Sequence, residues 1–258
     1  MGSVAGNVIT LAQISDIAVF EKNMALQSNA TDGGAPRAGV MNIVKVDRNL
    51  GTITVDTIVP GTVAGDFLLV NGDLNAKIHG LDAWIPMPGV LTSTPFLGVD
   101  RTQDNSRLGG VSKDYTGAPI DQALTNLSSA IGREGGTPDY TMMDFENYAA
   151  LENALGSKVQ YIDVKASDAD VGFAGIRVHG TKGPIQVVPD QNCQGNRFYM
   201  LQLDTWSLFS LGMAPRIFRG DSLEFLRVGN SDAVEIRALY YAEMGCEAPG
   251  WNGVAKIS

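Results

Sequence analysis

From Val40 the chain alternates apolar and polar residues at every second position. The segments "VMNIVKVD" and "TITVDTIV" each carry the period of a half-buried strand, and "RNLG" between them supplies a turn. Together they predict a β-hairpin. "GDFLLVNGD" adds a strand bounded by Gly65-Asp66 and Gly72-Asp73. Residues 20–85 therefore read as a small all-β module of three to five strands, one that closes into a barrel or stands out as a hairpin arm. Ahead of it, "NVITLAQISDIAVFEKNMALQ" is a short apolar segment followed by polar turns. Ser28–Gly39 reads as a flexible loop, because Gly33-Gly34 and Pro36 punctuate it.

Residues 86–118 are rich in turn formers and lack periodicity, which suggests a connector running over a surface. The period then lengthens. Ile120, Ala123, Leu124, Leu127 and Ile131 fall on one helical stripe and predict a helix over Ile120–Arg133, with Pro119 at its start and Gly135-Gly136 beyond its end. A short strand follows. A second helix is expected over Phe145–Leu155, capped by Asp144, burying Phe145, Tyr148, Leu151 and Leu155, and ended by Gly156. Thereafter strands dominate. "FAGIRVHGTKGPIQVVPD" and "NRFYMLQLDTWSLFSLG" read as β-hairpins, and "VEIRALYYAEMGCEAPGWNGVAKI" as a long apolar strand, a proline and a short terminal strand. No repeat at a fixed period is visible, which argues against a propeller or solenoid.

Composition supports a folded, loop-rich chain. Of 258 residues 44% are hydrophobic and 18% charged, with 30 glycines and 11 prolines. The formal net charge is −9. Residues 1–118 carry 8 basic and 11 acidic side chains, and residues 119–258 carry 11 and 17, so the acidity is spread along the chain. A spread acidic balance argues against a dedicated nucleic-acid-binding module, which needs a basic face. No stretch approaches the roughly 20 apolar residues of a membrane span. The start of the chain lacks the basic-then-apolar pattern of a signal peptide. Cys193 and Cys246 show no C-x-x-C spacing and read as two buried free thiols in a reducing cytoplasm.

Candidate chemistry is sparse. His79 and His179 each sit beside a glycine, and only Asp82 lies close to His79 as a ligand partner, so both read as turn or strand-end histidines. No G-x-S-x-G elbow, Walker A loop or G-x-G-x-x-G occurs. Asp168 and Asp170 suggest a calcium loop but lack its remaining oxygen ligands. Asn29 and Asn126 head formal glycosylation sequons that read as chance matches without a secretory signal. Arg216, Arg219, Arg227 and Arg237 form the densest basic cluster, either solvated strand ends or a subunit interface. No residue is assigned a catalytic, cofactor-binding or metal-ligating role.

The order of elements over residues 115–258 resembles the major capsid protein of tailed bacteriophages, the Hong Kong 97-like fold. In that family a long spine helix precedes a strand and then a helix with an aromatic-polar start, and "PIDQALTNLSSAIGREGGTPDYTMMDFENYAALENAL" is similar to that passage. "FAGIRVHGTKGPIQVVPD" resembles the strand and hairpin that follow, and "LDTWSLFSLG" the strand carrying an aromatic. "AVEIRALYYAEMGCEAPGWNGVAKI" is similar to the closing strand with its Pro-then-Gly tail.

The resemblance implies an α+β chain with axial and peripheral domains, a spine helix, and a β-rich extended loop or inserted β-module near the N-terminus. The segments expected are an N-terminal segment at 1–30 and the β-rich extended loop or module at 31–90. The connector and spine helix of the peripheral domain follow at 91–139, the axial domain at 140–235, and the C-terminal strands of the peripheral domain at 236–258. The implied function is structural: self-assembly through pentamers and hexamers into the icosahedral shell around a double-stranded DNA genome. The implied partners are further copies of the chain, with scaffolding, portal or decoration proteins beside them. Packaged DNA is touched only non-specifically, no membrane is involved, and the implied location is the virion, assembled in the host cytoplasm. The long N-terminal arm common in the family is hardly present. Some members cross-link subunits through a Lys–Asn isopeptide bond; Lys45 and Asn252 are the pair imaginable here, though nothing local marks either as activated. Two other classes stay open. One is an encapsulin-like cellular nanocompartment, which shares the fold. The other is a hydrolase on a β-rich scaffold, which needs a pocket bringing His79 or His179 to carboxylates.

Overall fold

The computed structural model describes residues 1–31, 34–74, 76–155, 176–213, 215–217, 225–227, 229 and 233–257. Its first sheet contains β1 (Ser3–Ala5), β2 (Val8–Thr10), β3 (Ala25–Asn29), β4 (Met41–Asp47), β5 (Thr52–Val55) and β6 (Phe67–Val70). All pairings are antiparallel, in the order β1-β2-β5-β4-β3-β6. The expected hairpin is β4–β5, and a register shift between Ile43 and Lys45 leaves Val44 and Lys45 both on the outer side. Alternate residues of these strands point inward, so Ile9, Leu26, Met41, Ile43, Ile53 and Val55 make a core of their own.

The module begins earlier than the sequence suggested. A boundary at residue 30 cuts through it, because β1 to β3 belong to the same sheet. Strands of three residues are too short to show a period, yet Ile9 is fully buried. The loop at Ser28–Gly39 is also better held than expected. Asn29 bridges Pro36, and the Arg37 guanidinium donates two hydrogen bonds, of 2.9 and 3.0 Å, to the buried Asp66. That fork holds the Asp66 carboxyl below the usual carboxylate range.

The presumed surface connector contains ordered elements. A helical turn, α1 (Leu81–Trp84), stands just before it, and within it lie α2 (Asn105–Gly109), capped by Asp104, and β7 (Val111–Asp114). Gly110 joins the last two at φ 78°, and a Cβ there would meet Ile85 Cγ2 at 2.6 Å, so neither the dihedral nor the space suits another residue. β7 was missed because its partner lies about 140 residues away, with Val111 opposite Gly253.

Helix α3 spans Ile120–Arg133 as the stripe predicts, with Ala123, Leu124, Leu127 and Ile131 buried. β8 (Tyr140–Met143) leads into α4 (Phe145–Leu155), where both carboxylate oxygens of Asp144 accept backbone N–H groups of the first turn. Leu151 is buried, but Phe145 is 56% exposed, contrary to expectation. Six residues of helix place Phe145 roughly 120° around the axis from Leu151, off the stripe that faces the sheet. Gly156, Asp168 and Asp170 lie outside the described residues.

β9 (Ile176–Gly180) and β10 (Gly183–Pro189) form the expected hairpin, and β11 (Arg197–Leu201) is buried along its whole length. The chain then leaves as a ribbon of nested antiparallel pairs. β12 (Trp206–Ser210) faces β17 (Ala242–Cys246), β13 (Arg216–Ile217) faces β16 (Ala238–Leu239), and β14 (Leu226–Arg227) faces β15 (Val234–Glu235). It returns as β18 (Gly253–Lys256).

Two expectations are corrected here. β11 and β12 do not form a hairpin, because β8 and β18 already flank β11 on both sides. The long closing strand is instead three short ones. The second sheet runs β7-β18-β11-β8-β10-β9, with β7–β18 and β8–β10 parallel. It draws strands from all three segments at 91–139, 140–235 and 236–258, with α3 packed on β7, β9 and β18, so those boundaries do not separate independent cores. Its core joins Leu127, Ile131, Met143, Leu151, Phe198 and Ala255.

The β7–β18 edge is closed electrostatically. Asp114 accepts from the Thr116 hydroxyl at 2.6 Å and backbone N–H at 2.9 Å, and from Lys256 Nζ at 3.2 Å. Thr116 and Lys256 together hold its carboxyl down at about 2. A depressed folded-state pKa contributes stability above the unfolded value near 4, lost as pH falls toward 2. Asp114→Asn should therefore be less stable than wild type at pH 6 and indistinguishable from it near pH 2. Urea midpoints at the two pH values test this, and an equal gap at both refutes it.

Candidate assembly surface

Among the described residues the ribbon carries a concentration of exposed apolar side chains. A two-stranded ladder buries little by itself, and this one carries apolar residues on both sides. Leu208, Phe209, Leu211, Met213, Ile236 and Tyr241 are between 57 and 83% exposed. Leu208 stands opposite Met244, and Phe209 opposite Glu243. The Phe209 ring lies over Gly245, where a Cβ would approach it to 2.5 Å. Successive residues alternate faces, so the apolar character of the segment cannot all turn inward.

The root of the ribbon is held from two directions. From α1 and the residues just before it, Trp84 Nε1 donates to the Met244 carbonyl at 2.9 Å. His79 donates its backbone N–H to Glu243 Oε1 at 2.9 Å, while its Nδ1 meets Oε2 at 3.1 Å. Burial pushes the Glu243 carboxyl up, but the bonds from His79 outweigh it and leave the group below its ordinary value. The Phe96 ring stands edge-on to both His79 and Trp84, each at 5.1 Å, and the Arg101 guanidinium lies over it at 4.3 Å. Trp84 also meets Trp206 edge-on at 6.4 Å.

From the second sheet, the fully buried Asn252 ties the two strands together. Its Nδ2 donates to Thr205 Oγ1 at 3.0 Å and to the Ala248 carbonyl at 2.9 Å. Its Oδ1 accepts from Gln202 N at 2.8 Å and Trp206 Nε1 at 2.9 Å. An amide so occupied is closed to a lysine of another subunit, which argues against the Lys45–Asn252 cross-link.

The remaining sequence candidates are scattered. His79 serves the ribbon root, whereas His179 lies on β9 opposite Pro184. Asp82, the sequence neighbour of His79, instead accepts from Arg197 and Tyr199. Cys193 is buried and its thiol is pushed up to about 12, which removes it as a nucleophile; Cys246 is half-buried and also raised by burial. A cleft of about 440 Å³ between the sheets is lined by Leu11, Asp16, Phe20, Phe67, Cys193 and Arg197, and neither histidine reaches it. Among the described residues no group of three His, Cys, Asp or Glu side chains is placed to hold a metal ion.

Asn29 is fully buried, and its amide donates to Gly34, which explains that sequon without a glycan. Asn126 lies on the exposed side of α3. Of the arginine cluster, Arg216 is exposed on β13, Arg237 pairs with Glu235 at 2.9 Å, Arg227 lies on β14, and Arg219 is outside the described residues. Sequence reasoning missed Trp84, Phe96, Arg101 and Glu243. Trp84 and Glu243 find partners 160 and 164 positions away, and Phe96 and Arg101 stack with one another and with Trp84 inside a turn-rich stretch, so no local period marks any of them. No helix among the described residues is long and apolar enough to cross a membrane.

No protein-family model matches the chain, and no curated protein does. Among solved structures it is similar to a chain of the Cyanophage A-1(L) capsid asymmetric unit, at 16% identity and a TM-score of 0.49, covering 71% of this chain and 61% of that one. It is also similar to a chain of the holo-SrpI encapsulin complex from Synechococcus elongatus PCC 7942, at 12% identity and a TM-score of 0.41, covering 61% of this chain and 57% of that one. This chain therefore spans less than two thirds of the length of either.

Proposed function

We propose that this chain is the subunit of a self-assembling icosahedral shell, built through pentamers and hexamers, that encloses the double-stranded DNA of a tailed bacteriophage. The observation that carries the reading is the uncovered ribbon. Ten of its described apolar side chains are 45 to 83% exposed. At about 150–250 Å² for each aromatic, they bare on the order of 1,000 Å² of surface. Single chains in solution seldom leave so much apolar surface bare on one element, and one side of a stable interface covers about 800 Å². Both sheets meanwhile have cores of their own, so the ribbon beyond its root at Trp206 completes neither core and is available for assembly.

The order of elements supports the shell class. Helix α3, β8, α4, the β9–β10 hairpin and the closing β18 follow one another as the capsid resemblance implies. A shell needs many weak contacts closed by symmetry, and no chemistry. The first sheet takes the place of the extended loop as a module decorating the shell. Scaffolding, portal or decoration proteins are the partners this reading implies, with DNA touched only non-specifically and the virion as the location.

Negative-stain microscopy of the purified full chain is expected to show closed shells or rings of five and six subunits. A strict monomer at high concentration overturns the reading. Terminase and portal genes beside the coding sequence are expected. A neighbouring cargo enzyme with a docking tail would reassign the shell to an encapsulin-like compartment.

A further inference from the structure

We infer that the ribbon is an assembly arm whose occupant is a second copy of this chain, and that His79 and Trp84 preset its direction. The inference rests on the shell reading and names the contact through which copies meet.

The composition of the ribbon identifies the kind of surface it seeks. The described residues between 206 and 246 include three arginines, Arg216, Arg227 and Arg237, and no lysine. Protein interfaces are enriched in arginine, methionine and aromatics and depleted in lysine, because an ammonium is costly to strip of water while a guanidinium is weakly hydrated and forks onto carboxylates. Phe209, Met213, Phe225, Tyr240 and Tyr241 supply the aromatic and thioether part, all of it exposed. The described charges are of both signs, Arg216 and Arg237 beside Glu235 and Glu243, which fits a protein partner and not a phosphate backbone. Among the described residues β12 pairs on one side only, so its outer edge stays open to strand addition, whereas Trp84 and Glu243 already occupy the backbone of Met244 on the outer edge of β17.

A second copy is the occupant the surface area favours. The bared surface, about 1,000 Å² summed over both faces of the ribbon, is on the scale of one partner's share of a standard interface when a copy wraps or flanks the ribbon. A copy is also present whenever the chain is, so the surface never has to stay bare at working concentration. The root explains how the arm is aimed. His79, Trp84 and the Phe96–Arg101 stack clamp Glu243 and Met244. An arm fixed before docking loses less freedom on binding than a free one.

The test compares Leu211→Asp/Tyr241→Asp with Leu50→Asp, a control of similar exposure in the β4–β5 turn. By analytical ultracentrifugation, the ribbon variant should need at least 100-fold more protein for half-assembly and keep its melting temperature within a few degrees. The control should assemble as wild type does. A ribbon variant that assembles normally overturns the inference while leaving the shell reading intact. Wild type that stops at small oligomers, which the ribbon variant abolishes, upholds the arm and removes the shell. If the variant misfolds, hydrogen exchange on wild type decides. Amides of Ser207–Leu211 and Ala242–Gly245 should gain protection on assembly, and no gain refutes the arm.

Discussion

Asn252→Asp is expected to cost about 3–5 kcal/mol of stability at pH 7, although it changes one atom. The buried amide donates to the Thr205 hydroxyl oxygen and the Ala248 carbonyl. A carboxylate would set acceptor against acceptor at both places. The Thr205 hydroxyl cannot turn to donate, because its proton is committed to the Gln202 carbonyl at 2.7 Å. Burial raises the pKa of the introduced carboxyl, and a raised folded-state value means stability present at low pH and lost as pH rises. The variant should therefore recover part of its deficit between pH 7 and pH 4, when the protonated form again donates a hydrogen bond. Asn252→Ala should show a large deficit without that recovery. Chemical denaturation of all three proteins at the two pH values measures this. A loss under about 1 kcal/mol at pH 7 would show that the root does not depend on this amide, and the same large loss at pH 4 would show that a protonated carboxyl does not replace its hydrogen bonds.

The other large effect belongs to Phe198. It lies at the middle of the second sheet, opposite Met143 on β8 and Ala255 on β18, and is fully buried. Removing its ring leaves a cavity between the sheet and its helices that strands on both sides prevent from collapsing. Phe198→Ala should cost about 3–5 kcal/mol. In a chain of this size that lowers the melting temperature by roughly 10 °C. Phe198→Leu retains most of the volume and should restore more than half of the loss. A melting curve for the alanine variant within 2 °C of wild type would show that the site repacks. Neither substitution touches the exposed ribbon face. Each should reduce assembly only through the fraction of folded protein, unlike Leu211→Asp/Tyr241→Asp.

The two kinds of expectation fared differently for physical reasons. Helix α3 was legible to its ends because a helix is a local structure, and its stripe from Ile120 to Ile131 carries the period of the face it buries. The Asp144 cap and the β4–β5 hairpin were legible for the same reason, since each is completed within a few residues. Phe145 misled because aromatic character marks burial only when the residue also lies on the stripe. β7 and the separation of β11 from β12 were illegible. Each depends on which distant strand occupies a sheet edge, and β18 sits between β7 and β11 only after the chain has made its excursion into the ribbon.

The candidate surface divides in the same way. The apolar segments around Leu208 and Tyr241 could be read as strands, but not as strands without cover, because exposure belongs to the folded chain. Histidine at position 79 looked like a turn residue, and its pairing with Glu243 spans 164 positions.

By itself the sequence determined the local elements, the apolar faces they present, the scarcity of candidate chemistry and the order that suggests a shell subunit. These follow from periods of two and 3.6 residues and from short-range caps and turns. Only the tertiary structure decided that the N-terminal strands join the first sheet, that three sequence segments share one core, and that the ribbon stands bare on a clamped root. Those outcomes depend on pairings between residues tens to more than 150 positions apart, which no local pattern encodes.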